Sequence, residues 1–172
     1  KFDIGRNFCN KVWNAVRFAI MNLSGVKADE PMDEQKWSLA DRWIVSRFNR
    51  TVAACDDSLK NYRFDQYAKT CYDFFWGDLC DWYLEAIKLS LRGDAADPAR
   101  RAAQGTLATV FDLVLRTLHP ITPFLSEALW QTLPRPAGEP DTLMLAAYPR
   151  VLTRDAAGAA FRQKDLAYRD AR

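Results

Sequence analysis

Apolar side chains return every three or four residues along most of this chain, and glycine, proline and capping residues stand between those stretches. Such spacing keeps one face of an α-helix continuously apolar, whereas a half-buried strand needs strict alternation. No segment alternates strictly. The sequence therefore predicts an all-α fold, and the short breaks predict an antiparallel up-and-down bundle of about five helices.

The first predicted helix runs from about Asp3 to Leu23 on Ile4, Phe8, Val12, Ala15, Ala19 and Leu23, and Ser24-Gly25 stops it. Ser38 and Asp41 have capping-box spacing, with Asp where Glu or Gln is usual, and open a second helix to about Lys60. Its stripe is Ile44, Val45, Phe48, Val52, Cys55 and Leu59, with Arg42, Ser46, Asn49, Arg50 and Lys60 opposite. Asp65 is a candidate cap for a third helix, about 40 Å long, on Tyr67, Cys71, Phe75, Leu79, Trp82 and Leu91. Asp97-Pro98 starts a fourth, to about Leu118, with a seam through Leu107, Val110 or Phe111, Val114 or Leu115, and Leu118. Thr122-Pro123 starts a shorter fifth, through Leu133. Residues 134–149 hold four of the eight prolines and predict an irregular crossing. Residues 1–150 thus read as one helical domain. Residues 151–172 read as a carboxy-terminal extension or linker, with helix-compatible but thinly apolar spacing over 155–172.

With 49% hydrophobic residues, six Trp and ten Phe, the 172-residue chain has enough material for a sizeable core. No run of about twenty apolar residues is free of charge, which argues against a membrane partner. Lys1 in place of methionine, with no leader-like segment after it, reads as a piece of a longer protein. Cys9, Cys55, Cys71 and Cys80 sit singly in apolar stretches, with no CxxC and no His at ligand spacing. Reduced buried thiols, a cytoplasmic setting and no disulfide-linked partner are expected.

A catalytic centre needs a nucleophile, a base and a group to hold developing charge. The sole histidine, His119, precedes Pro120 at a predicted helix end, where it is expected to cap the last carbonyls. The seven glycines are scattered and form no phosphate-binding loop. Asp73, Asp78, Asp81 and Glu85 share one helix, but no Glu-x-x-His accompanies them, so surface or ion-pairing roles are expected rather than a metal site. The sequence therefore predicts no catalysis, cofactor or metal for this fragment.

The first helix carries the more informative pattern. Lys1, Arg6, Lys11, Arg17 and Lys27 stand against Asp3 alone over residues 1–27, although the whole chain is only +2. At 100° per residue, Arg6, Asn10, Asn14 and Arg17 share one narrow sector, with Asp3 and Asn7 beside it and Phe18 at its border. Asparagine is a mediocre helix former, so three on one wet face cost stability unless something uses them. Amide and guanidinium groups reach base edges, and an exposed ring stacks on an unpaired base. An ordinary solvated face is the competing reading. For Trp13, Trp43, Trp76 and Trp82, core packing is expected.

Several blocks then carry a resemblance. Arg-Asn-Phe-Cys-Asn-Lys-Val-Trp-Asn-Ala-Val-Arg-Phe at 6–18 resembles the first helix after the catalytic domain of valyl-tRNA synthetases. Asp41-Arg42-Trp43-Ile44, Tyr72-Asp73-Phe74-Phe75-Trp76, Cys80-Asp81-Trp82-Tyr83-Leu84-Glu85 and His119-Pro120-Ile121-Thr122-Pro123-Phe124 are similar to blocks found in the same order in that family, over roughly residues 1–150. The resemblance implies the anticodon-binding bundle of a class I aminoacyl-tRNA synthetase, with the catalytic domain, its His-Ile-Gly-His-like and Lys-Met-Ser-Lys-Ser-like signatures, ATP and Mg belonging to the parent chain. It implies a valine-accepting tRNA as partner, the parent's catalytic domain as neighbour, and Arg17 and Phe18 at anticodon bases. Valine codons begin with GU, so the last two anticodon bases are A and C. Arg6, Asn10, Lys11 and Asn14 follow from the helical wheel as further contacts, with pairing of Arg6 and Lys11 to acidic residues as the alternative. A sibling domain for isoleucine, leucine or methionine, and a helical protein-interaction module, are the competing functions.

Overall fold

A computed structural model describes residues 2–26, 34–135 and 138–152, and the expected helix over 155–172 lies outside them. The order is α1 (Phe2–Asn22), α2 (Leu39–Lys60), α3 (Phe64–Asp73), a π-helical stretch (Phe74–Tyr83), α4 (Leu84–Leu91), α5 (Pro98–Leu118) and α6 (Pro123–Trp130). Because α3, the π stretch and α4 join through right-handed helical backbone, they form one continuous rod, and five rods result. No strand occurs among the described residues.

The caps act much as the sequence predicts. Gly25 ends the first turn region at φ +80°, a conformation glycine adopts without strain. Ser38 and Asp41 close a capping box: Asp41 N–H donates to Ser38 Oγ at 3.2 Å, and Ser38 N–H to Asp41 Oδ2 at 3.0 Å. Asp97 accepts from the Ala99 N–H at 2.9 Å, with Pro98 in the first turn. Two caps differ. Helix α3 begins at Phe64 after Arg63, so Asp65 lies inside its first turn, where a carboxylate favours the helix dipole. His119 directs Nδ1 to the Ser126 hydroxyl at 2.9 Å rather than to the last carbonyls of α5, tying α5 to α6. Helix α6 stops at Trp130, three residues before the expected end, and Leu133 still turns inward.

The third rod organises the core. Tyr67, Cys71, Phe75, Leu79, Tyr83, Ile87 and Leu91 are all buried, a strict step of four through the whole rod. In an unbroken α-helix each such step gains about 40°, and six would carry the stripe about 240° around the axis. In the π stretch hydrogen bonds reach five residues back, as Leu84 N–H does to Leu79 O, so the rod turns less per residue there and the drift of the stripe is reduced, while Phe74, Cys80 and Leu84 widen the buried face. This displaces Trp82 from the expected stripe: it is 70% exposed, and Tyr83 takes the inner place. Ile4 is also exposed, and Trp13 is 47% exposed, so neither joins the core as the sequence predicts. Trp43 and Trp76 pack against the core as expected.

Contacts along the rods fix their directions. Phe48 meets Phe74, Arg47 pairs with Asp78, and Tyr83 donates to Asp41, so α2 runs antiparallel to the rod. Phe8 meets Tyr72 and Phe75 while Lys11 reaches Asp81, so α1 runs parallel to it. Gln104 donates to the Asn22 carbonyl at 2.6 Å, which sets α5 antiparallel to α1. The thiols of Cys55 and Cys71, expected to sit singly, lie 3.8 Å apart across α2 and α3, both free.

A buried network holds α6 and the proline-rich crossing. Asp112 accepts from Trp130 Nε1 at 2.6 Å and from Arg116 Nε at 2.9 Å, while Arg116 also pairs with Glu139 at 3.0 Å. Replacing Asp112 by Ala leaves a buried guanidinium and an indole N–H short of a partner, and should lower the unfolding free energy by about 3–5 kcal/mol. Removing Asp56, whose partner Lys60 is exposed, should cost about 0.5 kcal/mol or less. Urea denaturation of both variants checks this, and equal losses would contradict a structural role for the buried network.

Candidate nucleic-acid interface

Helix α1 buries Phe8, Val12, Ala15, Val16 and Ala19, which leaves its opposite face to solvent. Arg6, Asn10, Asn14 and Arg17 are all exposed on that face, as the wheel predicts. Arg6 pairs with Asp3 of its own helix at 2.9 Å. Arg17 reaches no partner among the described residues, so its guanidinium is available to a ligand.

Phe18 is half-buried and leans on the core at the edge of the same face. Because α1 runs beside the third rod, Phe18 opens onto a pocket of about 210 Å³ between them. Lys11, Asn14, Ala15 and Phe18 form one wall, and Cys80, Leu84, Glu85 and Lys88 form the other. That volume lies below the roughly 300–1,000 Å³ of sites for drug-sized ligands and suits one planar ring system.

Charge around the pocket is arranged in pairs. Lys11 Nζ lies 3.0 Å from Asp81 Oδ1 and 5.0 Å from the centroid of the Trp76 ring, so the ammonium is fixed by a carboxylate and an aromatic face together. Lys88 Nζ donates to both Glu85 oxygens, at 2.6 and 2.7 Å. Asp78 and Asp73 of the rod are similarly engaged, by Arg47 and Lys69. Burial pushes the Cys80 thiol up to about 12, so it lines the pocket as a neutral group. A ring entering here meets Phe18 for stacking, Asn14 as both donor and acceptor, and a Glu85–Lys88 pair offering both polarities.

The structure thus brings Lys11, Asn14 and Phe18 together, places Arg17 beside them, and leaves Arg6 and Asn10 on the outer face away from the pocket wall. Sequence reasoning missed Cys80, Leu84, Glu85 and Lys88, which weigh only as stripe, ion-pair or metal candidates until the rod is seen to lie along α1. It also missed the exposed Trp82 ring, one residue from Asp81.

Similarity to known proteins is extensive. The family model described as the anticodon-binding domain of tRNA ligase matches residues 41–171. A valine–tRNA ligase of Nostoc sp. is 43% identical over 161 residues, covering 86% of this chain and 16% of that protein. Those of Lactiplantibacillus plantarum and Xanthomonas campestris are 44% and 42% identical over 149 and 178 residues, covering 87% and 96% of this chain. The chain spans about a sixth of the length of these relatives.

Cys9 is half-buried while Cys55, Cys71 and Cys80 are buried. Iodoacetamide at pH 8 should therefore add one label to the native protein, at Cys9, and four after denaturation. Peptide mass spectrometry reads the sites, and rapid native labelling of Cys80 would contradict the burial that keeps its thiol neutral.

Proposed function

The chain belongs to the family of anticodon-binding domains of tRNA ligases, and from that premise we propose that it holds the anticodon stem-loop of a valine-accepting tRNA. The observation that carries this reading is the ring-sized pocket between α1 and the third rod, with Phe18 at its mouth and Arg17 unengaged beside it. The valine assignment is supported by relatives that are valine–tRNA ligases over most of this chain.

In the proposed complex the loop lies along the wet face of α1. One of the last two anticodon bases, A or C, enters the pocket and stacks on Phe18, and Arg17 bonds a base edge or its phosphate. Asn14, Lys11 and the Glu85–Lys88 pair supply polar contacts at the ring edge, while Arg6 and Asn10 extend the contact toward the amino-terminal end. The bundle would act by positioning: a fixed anticodon loop presents the other end of the tRNA to the catalytic domain of the parent enzyme. Amino-acid activation, with ATP and Mg, would belong to that domain, and the assembly would work in the cytoplasm.

Binding to hairpins whose loops end in A and C, against the same loops with those bases exchanged, tests the reading. The chain should prefer the A–C loop. Phe18→Ala should weaken that binding by about 1–3 kcal/mol, or roughly 5- to 150-fold, if a base stacks there. Equal affinity for the two loops, or an unaltered affinity in the Phe18 variant, would overturn the assignment.

A further inference from the structure

Many cations among the described residues are matched within the fold. Lys11, Arg47, Lys60, Lys69, Lys88 and Arg116 each reach a carboxylate. Four arginines that reach none among the described residues, Arg17, Arg92, Arg100 and Arg101, belong to one end of the bundle. The structure links them step by step. Arg17 adjoins Phe18, which shares the pocket with Lys88. Arg92 follows Lys88 by one helical turn at the end of α4. Across the turn, Arg100 Nη1 donates to the Gly93 carbonyl at 2.7 Å, and Arg101 Nε lies 3.4 Å from the Ala95 carbonyl. Gln104, on the following turn of α5, bonds the Asn22 carbonyl and brings this corner back to α1.

These carbonyl contacts orient two guanidinium groups without neutralising them. Asp94 and Asp97 share the corner, where Asp97 caps α5 through Ala99, and among the described residues neither forms an ion pair with these guanidinium groups. Arg135 also lacks a carboxylate but stacks on Trp130 and bonds the Pro140 carbonyl, and Arg50 lies on the outer face of α2. Arginines without a carboxylate partner, two of them held by backbone carbonyls, suit a partner that carries several negative charges, and guanidinium groups fit phosphate oxygens in pairs.

We propose that Arg17, Arg92, Arg100 and Arg101 form a track that grips the phosphates of the RNA strand leading away from the nucleotide at the pocket. The proposal rests on the RNA-binding reading above and assigns it a second surface: the pocket selects the base, and the track supplies backbone affinity that is independent of sequence.

Salt dependence separates the two. Each phosphate neutralised adds about 0.7 (single strand) to 0.9 (duplex) to the slope of log affinity against log salt. The variant Arg92→Gln/Arg101→Gln, measured with the A–C hairpin from about 50 to 200 mM salt, should show a slope shallower by about 1.4–1.8 with its preference for A–C intact. Arg50→Gln should leave the slope unchanged, and Phe18→Ala should lose preference while keeping the slope. An unchanged slope in the double variant, or an equal loss in Arg50→Gln, would overturn the track while leaving the pocket reading in place. Failure of the unaltered chain to bind any hairpin would overturn both. Hairpins with uncharged methylphosphonate linkages in the flanking strand give the same test without altering the protein: the unaltered chain should lose slope with them, and retention of the full slope contradicts the track.

Discussion

The step of four along the third rod is the constraint on which the remaining architecture depends. Seven buried side chains over residues 67–91 face the same core, although an ideal α-helix would spiral that stripe away from it. The π-helical stretch absorbs part of the mismatch, and it sits where the rod meets both α1 and α2. Because the drift is reduced there, the flanks of the rod at the π stretch keep their facing as well. Asp81 and Glu85 are thereby turned to α1 and Asp78 to α2, and the pocket has one continuous wall.

Electrostatics divides the surface into settled and unsettled parts. Pairs within one helix, such as Lys60–Asp56 and Lys69–Asp73, contribute little to stability but cancel charge locally. Lys11–Asp81 and Arg47–Asp78 bridge separate rods and hold the two flanks of the π stretch. Among the described residues that reach no carboxylate, Arg17 lies in the carboxy-terminal half of α1 and Arg92, Arg100 and Arg101 flank the α4–α5 turn. The small net charge of the whole chain conceals this, since it averages over many internal matches.

The legible and illegible parts of the sequence divide along physical lines. Interactions within a few residues were readable: Ser38 with Asp41, Asp97 before Pro98, Gly25 after α1, and the wet sector containing Arg6, Asn10, Asn14 and Arg17. Interactions that depend on how two helices lie together were not. Extrapolating a 3.6-residue period put Trp82 inside, because nothing local announces the change to a five-residue hydrogen-bond step. His119 was assigned to carbonyls of its own helix, yet its partner is Ser126 on the next one. Phe18 and Lys11 were legible as a border residue and a cation, but the pocket also needs Leu84, Glu85 and Lys88 from a segment about seventy residues away.

Asp41 shows how a local device can be tied to the whole. One of its carboxylate oxygens closes the capping box of α2, and the other receives the buried Tyr83 hydroxyl at 2.8 Å. Burial holds that phenol well above the usual tyrosine range, so it remains a neutral donor. Helix ends ordinarily fray independently of the core. Here the first turn of α2 cannot unwind without uncapping itself and stranding a hydroxyl at the centre of the third rod. Fraying of that turn therefore carries a cost in the core that an ordinary helix end does not, and the frame behind the pocket is braced at that end.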